Sequence, residues 1–298
     1  MTSGRTPGGI RVAPVTSVTP ELLSSEPAVR RTPKGLSVPM RPVVRALVGV
    51  LLVLWILAPM VPVALWAFAA QWRAPAVVPG TYSLEAFASL GERVTISAGL
   101  ASLGVGVAVA VVATPLGLLG AVAARKLPGR QGRAVDLILL APLAIPPFAL
   151  VMGANTTLLR LHVPAFAGVV LLLVVTALPY TAFMYRSALA SYDHLLEDAA
   201  RTLGARPSQV IRHIRMPLLA AATARAFFLA FLVGWGDYVA TLLVGGGRLT
   251  TLPMLLGAAA SSTGNEQLTA VLSLAVIIPP VMLLAAFGLP TLTRKASA

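Results

Sequence analysis

Long apolar blocks separated by short polar segments recur along the chain. A stretch of about 20 mainly apolar residues can cross a bilayer as a helix, and in lipid a helix satisfies its backbone hydrogen bonds internally. About six such blocks are present, and we predict one membrane-spanning helix in each. The predicted spans are 46–70, 95–124, 135–152, 164–185, 218–244 and 270–289.

The composition agrees with an all-α membrane protein and excludes several other classes. Hydrophobic residues make up 57% of the chain and charged residues only 11%, whereas soluble domains carry about 25% charged residues. The net charge of +13 would suit nucleic acid in a soluble protein, but the basic residues stand between apolar blocks, so we expect a lipid bilayer and no nucleic acid as partner. With no cysteine and no spaced pair among three histidines, we predict no metal site and no cofactor.

Lysine and arginine are concentrated in every second connecting segment. They are abundant before the first predicted span, in 125–133, in 186–217 and after the last span. Because basic residues are enriched on the cytoplasmic side, we predict a multi-pass protein of the cell membrane with both termini in the cytoplasm. Residues 1–42 are rich in Pro, Ser, Thr, Gly and Arg, which predicts a disordered basic cytoplasmic tail before a transmembrane domain over 43–298.

The cytoplasmic segment 186–217 has the pattern of two short amphipathic helices. The apolar residues at helical spacing are Leu195, Leu196, Ala199, Ala200 and Leu203 in the first helix and Val210, Ile211 and Ile214 in the second. Glu197 and Arg201 are four residues apart, the favourable order for an ion pair. Neither helix is long enough to be stable alone in water, so something must cover the apolar faces. The protein's own surface or lipid headgroups could do so, and so could a separate cytosolic protein.

Local chemistry predicts where these two helices begin and end. Asp193 is a suitable N-cap for the first helix, and Gly204 can adopt the left-handed backbone that ends it. Pro207 favours the first position of the second helix. We expect that helix to end at Pro217.

The same segment resembles the hallmark loop of the inner-membrane permease subunits of binding-protein-dependent ABC importers. That hallmark is Glu-Ala-Ala, three residues, Gly, nine residues, Ile, one residue, Leu-Pro. The matching residues keep every interval and are Asp198, Ala199, Ala200, Gly204, Ile214, Met216 and Pro217. Asp198 and Met216 replace the usual Glu and Leu, and Arg206 stands where such permeases often have a Ser or Thr cap. Similar stretches begin at Leu178, Gly234 and Thr250, so the resemblance covers about 46–289.

The resemblance implies the type I ABC importer permease fold, with about six transmembrane helices and a cytoplasmic coupling-helix hairpin. It implies that cytosolic ABC ATPase subunits are contacted by Glu197, Asp198, Ala199, Ala200, Gly204, Ile214 and Pro217. It also implies a second permease subunit, usually a different chain, an extracytoplasmic solute-binding protein and a small-molecule solute. The sequence has no Gly-x-x-x-x-Gly-Lys-Ser/Thr phosphate loop. We therefore predict that the chain is not an enzyme and that a separate subunit hydrolyses ATP.

Asp237 lies inside the fifth predicted span, where a charge is costly. In one interpretation Asp237, Trp235 and Tyr238 face the translocation path of a cationic or hydroxylated solute. In the other, which we prefer, Asp237 bonds to the outer loop while the two aromatic residues belong to the interfacial belt.

Prolines and glycines within the spans predict two further features. Kinks are expected at Pro142, Pro146, Pro147, Pro179, Pro279 and Pro280. Close helix packing is expected at Gly99, Gly104, Gly106, Gly117 and Gly120 of the second span.

The function implied by the resemblance is ATP-driven import of a solute by alternating access. The last third of the chain is most similar to permeases of polyamine, thiamine or iron systems, and less similar to those of sugar systems. The residues alone leave two other functions open, an ion-gradient-driven secondary transporter and a non-transporting membrane scaffold. A secondary transporter would typically show mid-membrane charges and repeated spans, neither of which is clear in this sequence.

Overall fold

Helices make up most of the chain in a computed structural model that describes residues 42–72, 75–193 and 195–296. The helices are α1 Pro42–Leu57, α2 Met60–Phe68, α3 Arg93–Lys126, α4 Gly129–Ala144, α5 Pro147–Arg160, α6 Ala165–Ala190, α7 Leu195–Thr202, α8 Pro207–Val210, α9 Met216–Trp235, α10 Val239–Gly245, α11 Leu252–Ala260 and α12 Glu266–Ala296. The short strands β1 Ala69–Gln71 and β2 Thr81–Tyr82 pair antiparallel, and a 3₁₀ helix over Glu85–Gly91 follows them. Apart from Pro42, the predicted disordered tail over 1–42 lies outside the described residues.

The described residues contain four helices that are long and apolar enough to cross a membrane. They are α3, α6, the continuous helix Pro207–Trp235 and the segment Glu266–Ala286 of α12. Two more spans result if α1 with α2, and α4 with α5, each form one broken span. The prediction of an all-α membrane fold with about six spans is therefore confirmed.

The chain divides into two units, one ending at Trp55 and the other beginning at Ile56. In the first unit the apolar side chains Leu47, Leu51 and Trp55 of α1 are exposed, as expected for a helix that faces lipid.

The core of the second unit lies where α3, α6 and α9 pack together. A Cβ atom added at Gly117 of α3 would lie 2.2 Å from Thr181 Oγ1 of α6, and one added at Gly106 would lie 2.9 Å from the Phe231 ring of α9. A glycine with no room for a Cβ atom marks a place where two helices approach closely. The expected close packing is therefore confirmed for part of the glycine set, whereas Gly104 has ordinary room for a side chain.

Three predicted spans are interrupted. The span predicted over 46–70 is divided, because α1 ends at Leu57 and α2 begins at Met60. The span predicted over 135–152 is wrong as a single helix, because α4 ends at Ala144 and α5 begins at Pro147, bent by 102°. Pro146 and Pro147 explain the break, since proline lacks an N–H and disfavours helical backbone at the residue before it. The span predicted over 218–244 is also divided, because α9 ends at Trp235 and α10 starts at Val239.

Candidate functional site

The segment predicted to couple to a partner begins with a well-capped helix. Asp193 Oδ1 accepts a hydrogen bond from Leu195 N at 2.9 Å, at the start of α7. At the other end Gly204 has a φ of +84°, and Ala205 N donates to Ala200 O at 3.0 Å while Gly204 N donates to Arg201 O at 2.9 Å. These two bonds form a Schellman motif. Both predicted boundaries of the first helix are thus confirmed.

The second helix differs from its prediction. Pro207 begins α8 as expected, and Gln209 Oε1 accepts a bond from Arg206 N at 2.8 Å, which supplies the missing cap. The expected end at Pro217 is wrong, because the helix continues through a π-helical turn at Ile211–Arg215 into α9. Pro217 has no N–H to donate to the preceding turn, and the wide π turn just before it accommodates this interruption of the helix.

Glu197 is the centre of a buried polar cluster that joins α7 to the π turn. It is only 3% exposed. Arg215 donates to both of its carboxylate oxygens, from Nε at 3.0 Å and from Nη2 at 2.9 Å. The Tyr192 hydroxyl donates to Glu197 Oε1 at 2.5 Å, and Arg201 Nη2 lies 3.6 Å from Glu197 Oε2. We call Glu197, Arg215, Tyr192 and Arg201 the Glu197 cluster.

The cluster keeps Glu197 ionised although it is buried. The hydrogen bonds from Arg215, with a smaller contribution from Tyr192, lower the pKa of Glu197 from 4.5 to about 2 against the opposing effect of burial. Burial and the bond to Glu197 raise the pKa of Tyr192, so its hydroxyl keeps the proton that it donates. Bidentate pairing of this kind fixes the geometry as well as the charge.

One partner of Glu197 is predictable from the sequence, and two, Arg215 and Tyr192, are not. The predicted pair with Arg201 is confirmed, since four residues are one turn of a helix. Arg215 lies 18 residues further along the chain, and no local spacing connects it to Glu197. A signal was present in the sequence, because Arg215 is the last charged residue before the apolar block that begins at Met216.

The polarity of α7 is inverted with respect to an ordinary surface helix. Its acidic Glu197 faces inward, whereas Leu195, Leu196 and Leu203 are 73%, 51% and 88% exposed. Of the other residues predicted to couple, Asp198, Ala199, Gly204 and Pro217 are exposed, and Ala200 and Ile214 are half-buried. The apolar stripe that the sequence predicted therefore exists as a free surface of this chain.

The Glu197 cluster also borders the ends of two predicted spans. A cavity of about 200 Å³ beside it is lined by Val122, Arg125 and Lys126 of α3 and by Leu189 and Leu219. Arg125 Nη1 donates a hydrogen bond to Leu189 O, which ties the end of α3 to the end of α6. The Glu197 cluster and the ends of α3, α6 and α9 therefore lie around one cavity.

The residues predicted to face a translocation path do not share one surface. Asp237 Oδ1 accepts from Ala240 N at 3.2 Å, and Asp237 Oδ2 accepts from Thr241 N at 2.8 Å and from Thr241 Oγ1 at 2.9 Å, so this carboxylate caps α10. Trp235 is buried and donates from Nε1 to Val276 O at 2.9 Å. Tyr238 is 40% exposed.

Asp237 and Tyr238 line a cavity of about 460 Å³, and Trp235 does not. Residues at two helix breaks line this cavity. One break lies between α4 and α5, and the other lies between α9 and α10. The remaining lining residues are Pro142, Leu143, Ile145, Pro147, Leu150, Val151, Leu172, Leu173, Thr176, Tyr180, Val233, Gly236 and Val239. Within the described part of the chain, no three His, Cys, Asp or Glu side chains are grouped so as to hold a metal ion.

Comparison with known sequences gives consistent matches. Residues 113–295 match the family described as binding-protein-dependent transport system inner membrane component. The putrescine transport system permease protein PotI of Escherichia coli (strain K12) is 29% identical over 198 residues, 62% of this chain and 70% of that protein. A putative 2-aminoethylphosphonate transport system permease protein, PhnV of Salmonella typhimurium, is 22% identical over 267 residues, which are 89% of this chain and 97% of that protein. The trehalose transport system permease protein SugB of Mycobacterium tuberculosis is 26% identical over 200 residues, covering 64% and 70%.

Solved structures of ABC transporters share the fold. A bacterial ABC transporter involved in the import of the acidic polysaccharide alginate superposes with a TM-score of 0.63 at 17% identity, covering 85% of this chain and 95% of that one. The MetNI methionine ABC transporter superposes with a TM-score of 0.54 at 20% identity, covering 68% and 95%.

Proposed function

This chain belongs to the family of inner-membrane permease subunits of binding-protein-dependent ABC importers, and we propose that it moves a small solute into the cell by alternating access. An extracytoplasmic binding protein delivers the solute. A separate cytosolic ABC ATPase subunit hydrolyses the ATP, and the permease is paired with a second permease subunit that is a different chain. Both termini are cytoplasmic, which places the segment 186–217 on the side of the ATPase.

The inverted polarity of α7 is the observation that carries this proposal. Two exposed leucines on the eight-residue helix α7 and a third directly after it leave apolar surface in water unless another molecule covers it. A lipid surface is the less suitable cover, because Asp198 is exposed on the same helix and Arg215 is already engaged by Glu197. An apolar groove on the ATPase subunit would bury the leucines.

The Glu197 cluster explains how such docking would act on the membrane domain. Glu197 and Arg215 hold α7 to the π turn, and the π turn continues directly into α9. A displacement of α7 would therefore move α9, because no flexible segment separates the π turn from that span. We propose coupling roles for Glu197, Asp198, Ala199, Ala200, Gly204, Ile214 and Pro217, with Arg215 added from the structure.

For the solute we propose the polyamine, thiamine or iron class first and the sugar class second. The names of the similar permeases include a putrescine system and a trehalose system, so they support both classes. We keep Asp237 and Tyr238 as proposed residues of the path, because both line the larger cavity. Trp235, buried against α12, is better placed to position them.

The docking surface can be tested by co-purification. We would express the full-length chain with the other subunits of its transporter and isolate the complex through a tag on the ATPase. Leu203→Glu places a charge in the proposed groove and should reduce recovery of the permease about tenfold or more, since a buried unpaired charge costs at least 1.4 kcal/mol. Leu161→Glu is the matched control, because Leu161 is a 69% exposed leucine in the loop after α5. Equal recovery of both variants would contradict the proposal.

A further inference from the structure

The cavity of about 460 Å³ lies beside the middle of α6, a helix long and apolar enough to cross a membrane. Its α6 residues, Leu172 to Tyr180, are about 10 to 22 Å along the helix from Ala165 at a rise of 1.5 Å per residue. Half of a bilayer core is about 15 Å. Two helix breaks meet the same cavity, one at Ile145 and one at Gly236. Broken helices at this depth are tolerated where they line a cavity, and they mark solute sites in transporters.

Among the described residues that line this cavity, Asp237 is the one with a charged side chain. Its hydrogen bonds to Ala240 and Thr241 hold the carboxylate at the start of α10. Oδ1 accepts only one of the three bonds, so it retains accepting capacity toward the cavity. Within the part of the chain that the structure describes, no Lys, Arg or His lines the cavity to neutralise it. A carboxylate in apolar surroundings, held by neutral donors, favours a cation as its ligand.

Aromatic rings supply the second feature of the cavity. Tyr180 of α6 and Tyr238 are 43% and 40% exposed, and both line it. The faces of such rings attract ammonium groups. The hydroxyl of Thr176 donates to Leu173 O at 2.9 Å, so it offers the cavity only acceptor capacity. The rest of the lining is aliphatic apart from a backbone glycine, which suits the carbon chain of a ligand and gives few of the polar partners that a sugar needs.

We propose that this cavity is the intramembrane solute site of the permease and that it binds an organic ammonium ion with a short apolar body. This inference rests on the proposed function as an importer. Asp237 pairs with the ammonium group, Tyr180 and Tyr238 present ring faces to it, and the aliphatic residues of α4, α5 and α6 contact the carbon chain.

Equilibrium dialysis tests the proposal with three probes of the same size. The full-length chain, isolated with its partner subunits in phosphatidylcholine nanodiscs, is dialysed against butylammonium, 1-butanol or butyrate, and binding to empty nanodiscs is subtracted. We expect butylammonium to bind more tightly than either other probe. Asp237→Asn should weaken butylammonium binding about tenfold or more while leaving 1-butanol binding unchanged. Glu85→Gln removes the same charge from an exposed site and should change neither.

A second variant covers the case in which Asp237→Asn perturbs the cap of α10. Tyr180→Leu leaves the cap intact and should weaken butylammonium binding about threefold to tenfold through loss of the ring face. Butylammonium binding that is insensitive to both variants, or butyrate binding as tight as that of butylammonium, would overturn the proposal. The amount of ATPase in the same preparations reports separately on the proposed function. If the ATPase co-purifies while the cation preference is absent, only the solute inference fails.

Discussion

A buried carboxylate explains why the cytoplasmic hairpin keeps its shape. Removing Glu197 from water is costly, and the bidentate bond from Arg215 with the bond from Tyr192 offsets that cost. The same arrangement turns the leucines of α7 outward. In our proposal, the ion pair thereby presents the leucines to the subunit that covers them.

Loss of the Glu197 charge should loosen this arrangement. Glu197→Gln leaves Arg215 without its anion, and breaking a buried pair typically costs about 3 to 5 kcal/mol. We expect a lower midpoint of thermal unfolding for the variant complex and faster proteolysis between Ala190 and Pro207. Asp198→Asn removes the neighbouring exposed charge and should leave both measurements unchanged. Equal behaviour of the two variants would show that the pair does not stabilise the hairpin.

The stabilisation by Glu197 should also depend on pH. Its pKa is lowered from 4.5 to about 2 in the folded protein, so the contribution is complete above about pH 4.5 and is lost as the pH falls toward 2. The shift corresponds to about 3 kcal/mol. The difference in unfolding free energy between wild type and Glu197→Gln should therefore be constant from pH 5 to 7 and fall by more than half at pH 3. A difference that grows on acidification would contradict the assignment.

Gly204 is required for its backbone and not for its small size. An added Cβ would meet nothing within 4 Å, yet φ is +84°, a conformation that β-branched residues strongly disfavour. Gly204→Val should leave the complex in the membrane but raise the ATP hydrolysed per solute imported severalfold, because α7 can no longer end in the same turn. Gly204→Asn adds a side chain that tolerates this backbone and should retain coupling. Normal coupling in Gly204→Val would contradict the prediction.

At the scale of elements, local chemistry was predictable from the sequence and long-range geometry was not. Caps and turns such as Asp193 and Gly204 were correctly predicted because their partners lie within a few residues. Hydropathy predicts one span where the structure has α4 and α5, and one where it has α9 and α10. An average over apolar residues does not respond to a break of two or three residues. The predicted helix end at Pro217 is wrong, because a π turn before it lets the helix continue. The helix α11 was missed because Leu252–Ala260 is too short to span a membrane.

The contact between α3 and α6 depends on one glycine. A Cβ at Gly117 would lie 2.2 Å from Thr181 Oγ1 and 3.0 Å from Ala182 N, and the backbone atom cannot move aside easily. Gly117→Ala should lower the unfolding free energy by about 1 to 3 kcal/mol through overpacking. Gly104→Ala is the control, because its nearest neighbour is 3.8 Å away and alanine favours helix by about 1 kcal/mol. The midpoint temperature of thermal unfolding should fall for Gly117→Ala and rise for Gly104→Ala.

For the whole molecule, fold and specificity depend on different residues. The fold is shared with transporters of 17% and 20% identity, because apolar patterning tolerates many substitutions. Solute choice, in our proposal, depends on the few side chains around Asp237. Relatives named for putrescine, 2-aminoethylphosphonate and trehalose systems can therefore have one architecture and different solutes.

The orientation of the whole chain gives the last prediction. The docking proposal requires the segments 125–133 and 186–217 to face the cytoplasm, as their lysines and arginines indicate. The natural sequence contains no cysteine, so single cysteines can be labelled without background. A membrane-impermeant maleimide should label Thr263→Cys, in the loop between α11 and α12, in spheroplasts. Gln131→Cys, exposed at the start of α4, should react only after the membrane is opened. The reverse pattern would place α7 outside the cell, where no ATPase subunit could reach its leucines.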